Sequence, residues 1–350
     1  MSKARQLADL GNVFDDGASS NRNLLINSAM QVAQRGTSSS SAGYQTVDRF
    51  RFTSSDMDQL AFTQSQDTTG PSGFTNSYKI TVTTPETTTE AEEQLYMFQA
   101  IEAQNLQQLG YGTSDAKQLT LSFWVKSSVT GAYCVAFYQN DGNRLITSTY
   151  SISSANTWEY KTITIDGDTS GTINNDNGAG LELYFFLSVG PDRKTTDSTS
   201  WGTWTAAKFG YGQVADVAAT SSATWQITGV MLEIGDSSTP FEHRSYADQL
   251  QACQRYYYQV GGAYGFLIGG YASGSADDYN SPFAFPVTMR TAPSVAVTGT
   301  WSTSNTTASS PSVTRSTSYA ATVYGTTSVS GNWYMDAGSA DNLIKFDAEL

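Results

Sequence analysis

The chain has 350 residues, enough for two domains at ~150 residues each. Only 15% are charged, against ~25% in an average soluble domain, and Ser, Thr, Asn and Gln fill the deficit, as suits an exposed all-β protein. The 19 Lys and Arg against 32 Asp and Glu give a formal charge of −13; with no basic cluster to displace counterions from phosphates, neither nucleic acid nor an anionic membrane is an expected partner.

Residues 2–10, "SKARQLADL", form a short amphipathic piece stopped by Gly11. Basic residues stand at its start without an apolar core behind them, so it is not read as a signal peptide. An isolated helix this short is marginal in water. Residues 1–20 are therefore read as an attachment segment that needs a partner, with Lys3, Arg5, Leu7 and Leu10 as its candidate contacts; a frayed terminus is the alternative. "FDDGASSN" follows as a turn-rich linker.

Residues 21–243 read as strands separated by polar loops. "VDRFRFTS", "YKITVTT", "LTLSFWVKSS", "GAYCVAFYQ", "NRLITSTYSI", "WEYKTITIDG", "LELYFFLSVG" and "WQITGVMLEIG" are rich in β-branched and aromatic residues, and several alternate with period two. In "YKITVTT", Tyr78, Ile80 and Val82 share one face. "TEAEEQLYMFQAIEAQNLQQLG" has helix-forming residue types, yet Leu95, Met97, Gln99 and Ile101 alternate with Tyr96, Phe98 and Ala100. A strand near 94–103, buried on both faces, with a helical turn near 105–109, is the expectation. The most apolar windows fall far short of the ~18 residues of a bilayer crossing.

Residues 244–260 contain the one expected α-helix, over 245–258. Ser245 can cap it, with Asp248 three positions on, and Tyr246, Leu250, Cys253 and Tyr257 form one apolar stripe. Pro240 and Phe241 make a turn ahead of it, so the segment reads as a structural joint. Residues 261–350 return to strands, including "FAFPVTMR", "PSVAVTG", "YAATVYGTT", "NWYMDAG" and "LIKFDAEL", while "TWSTSNTTASSPSVTRSTS" reads as exposed loop and edge strand. The fold class expected is all-β: a jelly-roll β-sandwich, one linking α-helix and a smaller C-terminal β-sandwich.

Chemistry is scarce. A nucleophilic triad needs a base, and the single histidine, His243, sits in the turn before the helix. Zinc wants three or four ligands, whereas Cys134 and Cys253 lie far apart and form no disulfide framework. Glu102, Glu182 and Glu233 fall on expected strands without marking a catalytic pair. "DGDTSGTINNDNG", residues 166–178, has the oxygen ligands of a calcium loop but not its spacing, and no G-K-[ST] motif occurs. No catalytic residue, metal or cofactor is expected, although that loop leaves a calcium ion open. The remaining signal is aromatic. "DSTSWGTWTAAKFGYG" sets Trp201, Trp204, Phe209 and Tyr211 in a polar segment, where half-wet rings suit the apolar face of a sugar. Trp201, Trp204 and Tyr211 are the candidate carbohydrate-binding residues; the alternative is that these rings cap the core from a loop. Trp124, Trp158 and Trp225, on strand patterns, read as core.

"WQITGVMLEIGDSSTPFEHRSYADQLQACQRYYYQ" resembles a segment of bacteriophage tail-fibre and related virion-appendage proteins: an I-T-G-x-x-L-E-x-G strand, a T-P-F-E-x-R turn, and a helix ending in C-Q-R-Y-Y. Ile227, Thr228, Gly229, Leu232, Glu233 and Gly235 match the strand; Thr239, Pro240, Phe241, Glu242 and Arg244 the turn; Cys253, Gln254, Arg255, Tyr256 and Tyr257 the helix end. "NLLINSAMQVAQRG" with "YQTVDRFRF" is similar to the opening of such modules, "LTLSFWVKSS" to a strand of carbohydrate-binding-type jelly rolls, and "FPVTMRTAPSV" and "DAEL" to their C-terminal parts. The resemblance implies this fold, trimeric assembly and a place on a virion; with the scarce cysteines and the aromatic loop, the expectation is a homotrimeric virion surface protein, made in the host cytoplasm, bound to other virion proteins through its N-terminus and to host surface polysaccharide. A short tail fibre or other appendage fits best, since the long shaft of a typical fibre is missing. The alternatives are a structural capsid-decoration, head-fibre or adaptor protein, and a polysaccharide-degrading tail enzyme.

Overall fold

The computed structural model describes residues 21–350, so the attachment segment, with Lys3, Arg5, Leu7 and Leu10, lies outside the described residues. The chain divides after Tyr246 into two compact units.

The first unit holds twelve strands: β1 (Ser38–Ser39), β2 (Arg51–Ser55), β3 (Ala61–Asp67), β4 (Ser77–Thr84), β5 (Gln94–Glu102), β6 (Leu119–Ser127), β7 (Gly131–Gln139), β8 (Arg144–Ile152), β9 (Glu159–Ile165), β10 (Ala179–Val189), β11 (Gly202–Thr203) and β12 (Thr224–Ile234). They form two six-stranded sheets, in the orders β1-β3-β4-β12-β6-β9 and β11-β8-β7-β10-β5-β2. Every pairing is antiparallel, and the chain passes back and forth between the sheets, making a jelly-roll sandwich. Alternation explains the core: Tyr78, Ile80 and Val82 of β4 are buried inward beside Trp225 and Ile227 of β12, against Phe137 and Phe185 of the second sheet. Trp124 and Trp158 depart from the core expectation. Both are half-buried, Trp124 against the exposed ring of Tyr160 and Trp158 under the Lys126 ammonium, because β6 turns every second side chain away from the core. The expected strand near 94–103 is β5, buried on both faces, and a 3₁₀ helix over Ala103–Leu109 follows it.

The resembling segments meet here. β12 breaks register between Thr228 and Met231, where Gly229 adopts φ +61°. A Cβ on Gly229 would lie 2.6 Å from the ring of Phe74, so both the backbone and the close approach call for glycine. The pairing of β12 with β4 ends at Ile227, and backbone groups beyond it are taken by the N-terminal segment. Asn23 donates from Nδ2 to the Val230 carbonyl (2.9 Å) and accepts from the Leu232 amide (3.1 Å), while the Leu24 amide donates to the Leu232 carbonyl (2.9 Å). Asn27 donates from Nδ2 to the carbonyls of Val32 and Asp48 and so ties down the loop that follows it. After β12, Glu242 accepts from the backbone amides of Asn21 and Asn23 at 2.9 and 3.0 Å, and Arg244 reaches both Glu242 and the Asn23 carbonyl. Phe241 and His243 pack their rings on Phe74 at 5.0 and 5.3 Å. Pro240 and Phe241 thus belong to a clasp between the segment after β12 and residues 21–24 and Phe74.

The second unit begins with α1 (Tyr246–Gln254, its first residue in the first unit). It continues with β13 (Tyr257–Gly261), β14 (Leu267–Ala272), β15 (Asp278–Ala284), β16 (Ser294–Val297), β17 (Ser302–Ser304), β18 (Ser312–Thr314), β19 (Ala320–Thr326), β20 (Gly331–Asp336) and β21 (Leu343–Asp347). Three three-stranded sheets, β13-β21-β16, β14-β20-β17 and β15-β19-β18, enclose Trp301, Val323, Trp333, Met335, Ile344 and Phe346. The Ser/Thr-rich stretch supplies the short edge strands β17 and β18. The helix is shorter than its sequence pattern. It stops at Gln254, and Tyr257 opens β13 instead, because Tyr257–Gly261 pairs with Leu343–Asp347 and three consecutive tyrosines favour a pleated surface. Of the expected stripe, Cys253 and Tyr257 are buried, but Tyr246 is 57% exposed, and Gln249 takes the second buried helix position.

Two tests follow from this core. Gly229→Ala is expected to destabilise the first unit by about 1–3 kcal/mol, the cost of a left-handed non-glycine residue with added crowding, measured by urea denaturation of the full chain. Burial also raises the hydroxyl pKa of Tyr78, Tyr150 and Tyr133, the last to about 12 despite a hydrogen bond from its hydroxyl to Ser127. A raised folded-state pKa means that stability is intact below the ordinary tyrosine value and is lost as pH climbs through it toward the folded value. Stability should fall above about pH 10, and phenolate absorbance should rise together with unfolding rather than before it.

Candidate functional site

Turning every second residue of β5 and β10 outward builds an aromatic surface on the second sheet. Leu95, Met97 and Ile101 point into the core, as do Leu181, Leu183 and Phe185. Tyr96 and Phe98, with Tyr184 and Phe186, therefore share the outer face. Registers place Phe98 opposite Tyr184 and Tyr96 opposite Phe186; the first pair stacks at 4.9 Å and 19°, the second meets edge to face at 5.5 Å.

The segment after β10 folds back over this face. Phe209 stands edge-on to Tyr184 (4.8 Å), Phe186 (5.0 Å) and Tyr96 (6.0 Å). Trp204 continues the tract, 6.1 Å from Phe209 and 6.1 Å from Tyr138 of β7, its backbone amide tied to the Asn143 carbonyl at 2.9 Å. Phe98, Tyr184, Phe186 and Phe209 are buried, while Tyr96, Tyr138 and Trp204 stay half-buried. The tract thus has a packed base and a wet rim.

Polar groups stand beside the rim. Glu182, half-buried, accepts from Asn140 Nδ2 at 2.7 Å and from the Tyr184 hydroxyl. The Tyr138 hydroxyl donates to Asn143 Oδ1 at 3.1 Å. Desolvation, with the Glu182 charge adding to it, raises the pKa of Tyr184 and Tyr138, so these phenols stay protonated donors. Flat apolar rings next to oriented hydroxyl, amide and carboxylate groups can receive the C–H face of a sugar while hydrogen-bonding its hydroxyls.

The candidate residues read from the sequence are dispersed. Trp204 lies on this tract. Trp201 turns the other way: its indole N–H donates to the Asp166 carbonyl at 2.7 Å, and its ring packs edge-on to Tyr111 (5.8 Å) against the core. Tyr211 lines a separate cleft of about 410 Å³ with Thr147, Thr149, Thr164, Asp166 and Thr199. Among the described residues no ring contact joins the three to one another. Tyr96, Tyr138 and Tyr184 escaped the sequence reading; the signal was the aromatic half of the alternation in "LYMF" and "LYFF".

The carboxylates each answer to local donors. Glu102 is buried with Gln104 bonded to it. Glu233 accepts from the amide and hydroxyl of Thr239 at 2.8 and 2.6 Å, its pKa raised by desolvation. In the 166–178 loop, Asp168 turns inward to pair with Arg144, and Asn174 binds Asp141. Among the described residues no group of three acidic, histidine or cysteine side chains converges.

Trp201→Ala is expected to lower stability by about 2–3 kcal/mol, since it removes core packing and a hydrogen bond, and Trp204→Ala by about 1 kcal/mol or less. Paired denaturation curves of the two variants check this difference.

No protein-family model matches the sequence, and neither does any curated protein. Among solved structures, the chain is similar to the enzymatically active domain of tailspike protein 4 of bacteriophage CBA120, at 14% identity and a TM-score of 0.33; the alignment covers 61% of this chain and 22% of the tailspike. It is also similar to the family 11 carbohydrate-binding module of a cellulosomal cellulase of Clostridium thermocellum, at 13% identity and a TM-score of 0.29, over 59% of this chain and 98% of the module.

Proposed function

We propose that the chain is a non-catalytic bacteriophage virion surface protein that adheres to host surface glycans. The outer face of the β5–β10 sheet would carry the contact, with Trp204, Tyr138 and Tyr96 as its accessible rings. The observation that carries this reading is the continuous ring tract, open to water along one rim and set beside Glu182, Asn140 and Asn143. A fold alone needs no such arrangement, because outward faces of antiparallel strands are ordinarily polar. The resemblance of the I-T-G, T-P-F-E-x-R and C-Q-R-Y-Y segments to phage appendage proteins supports the virion setting. It also supports the homotrimer and attachment through residues 1–20. In a trimer three weak glycan sites would act together by effective concentration.

The test is binding of fluorescently labelled protein to phage-susceptible and phage-resistant bacterial cells, with purified surface polysaccharide as competitor. Selective, competable binding is expected, weakened about fivefold or more by Trp204→Ala, the equivalent of about 1 kcal/mol for one lost ring contact. Equal binding by that variant would refute the proposed face, and release of reducing ends would refute the non-catalytic reading.

A further inference from the structure

The aromatic face ends at the edge strand β2, where Arg51 pairs across to Phe98. Its guanidinium lies over Phe98 at 5.7 Å and over Tyr44 at 6.0 Å, and the residue is exposed. The other arginines described in the first unit are engaged. Arg22, Arg35, Arg144, Arg193 and Arg244 each pair with a carboxylate, and Arg49 donates to the Ala100 carbonyl. Among the described residues Arg51 has no carboxylate or carbonyl partner. In a chain of net charge −13, acidic neighbours are plentiful, so an arginine left unpaired on a candidate binding face calls for a reason.

Two features turn it toward a ligand. Ring contacts on Tyr44 and Phe98 hold the guanidinium by its π surface, which leaves its N–H edges as donors to solvent. The carboxylate on the same face, Glu182, hydrogen-bonds Asn140 and Tyr184, and among the described residues it forms no ion pair with Arg51. The charge is felt across the face: desolvation raises the Tyr96 hydroxyl pKa, while Arg51 and Arg193 act in the opposite sense. The charged group of the tract that has no hydrogen-bond partner among the described residues is therefore cationic. A guanidinium edge fits a planar carboxylate or a phosphate through two parallel N–H···O bonds.

We propose that the glycan bound on this face carries an anionic substituent, a carboxylate or a phosphate, which Arg51 receives while the aromatic rim holds the adjoining sugar. This rests on the glycan-binding reading above. The overall negative charge opposes a dense polyanion, so the anionic group is sparse, of the order of one per repeating unit.

The experiment is an array of purified bacterial surface polysaccharides, neutral and anionic, probed with the labelled full chain, Arg51→Gln, Arg51→Lys and Trp204→Ala. The glycans bound are expected to carry uronate or phosphate, and Arg51→Gln to weaken them about tenfold or more with an unchanged denaturation midpoint. Arg51→Lys should recover only part, since an ammonium cannot make the paired bonds. Carboxyl reduction of a uronate ligand, or dephosphorylation of a phosphorylated one, should cost as much as Arg51→Gln and so tells the two sources apart. Binding to neutral glycans only, or equal binding by Arg51→Gln, overturns the role of Arg51 while sensitivity to Trp204→Ala preserves the glycan reading. No binding to any glycan overturns both.

Discussion

The jelly roll depends on how the backbone beyond the Gly229 bulge is satisfied. A bulge sets part of β12 out of register with β6, and a buried amide or carbonyl without a partner costs on the order of 1–3 kcal/mol. The repair comes from more than 200 positions away in the chain: Asn23, fully hydrogen-bonded and only 6% exposed, bridges the Val230 carbonyl and the Leu232 amide. Phe74 closes the same place from a third segment. Three regions with no sequence proximity therefore form one polar and aromatic junction at the edge of the sheet that buries Trp225.

That junction accounts for what could be read without a structure. The alternation of "YKITVTT" and "LTLSFWVKSS" marks strands because one face of each is buried, and a local pattern suffices to show it. The helix beginning near Tyr246 was legible in the sequence, but its end and its buried face were not. Tyr257–Gly261 becomes a strand through pairing with Leu343–Asp347, a partner that local periodicity cannot supply. Trp124 misled for the related reason that strand position alone does not say which sheet face is covered.

The candidate site was legible in smaller part. The loop "DSTSWGTWTAAKFGYG" advertised Trp204 and Phe209 because rings in polar surroundings are conspicuous. It gave no hint that Trp201 would turn to the Asp166 carbonyl or Tyr211 into another cleft. The platform itself comes from β5 and β10, whose aromatic and aliphatic residues alternate so evenly that the sequence looks uniformly apolar. Only registers such as Phe98 opposite Tyr184 reveal that one half of that alternation faces away from the core. Arg51 was still less visible, since an unpaired cation is defined by neighbours it lacks.

The Glu242 clasp has a mechanical consequence. Its oxygens hold the amides of Asn21 and Asn23, so two segments more than 200 positions apart meet at one carboxylate. Tension applied between those two points is borne by this carboxylate, by the Arg22 contacts to Thr239 and Pro240, and by Arg244 on the Asn23 carbonyl. The strands of both sheets lie outside that load path. A pull between residues 21–23 and the segment after β12 would strain the clasp before it reached the aromatic outer face of the sandwich.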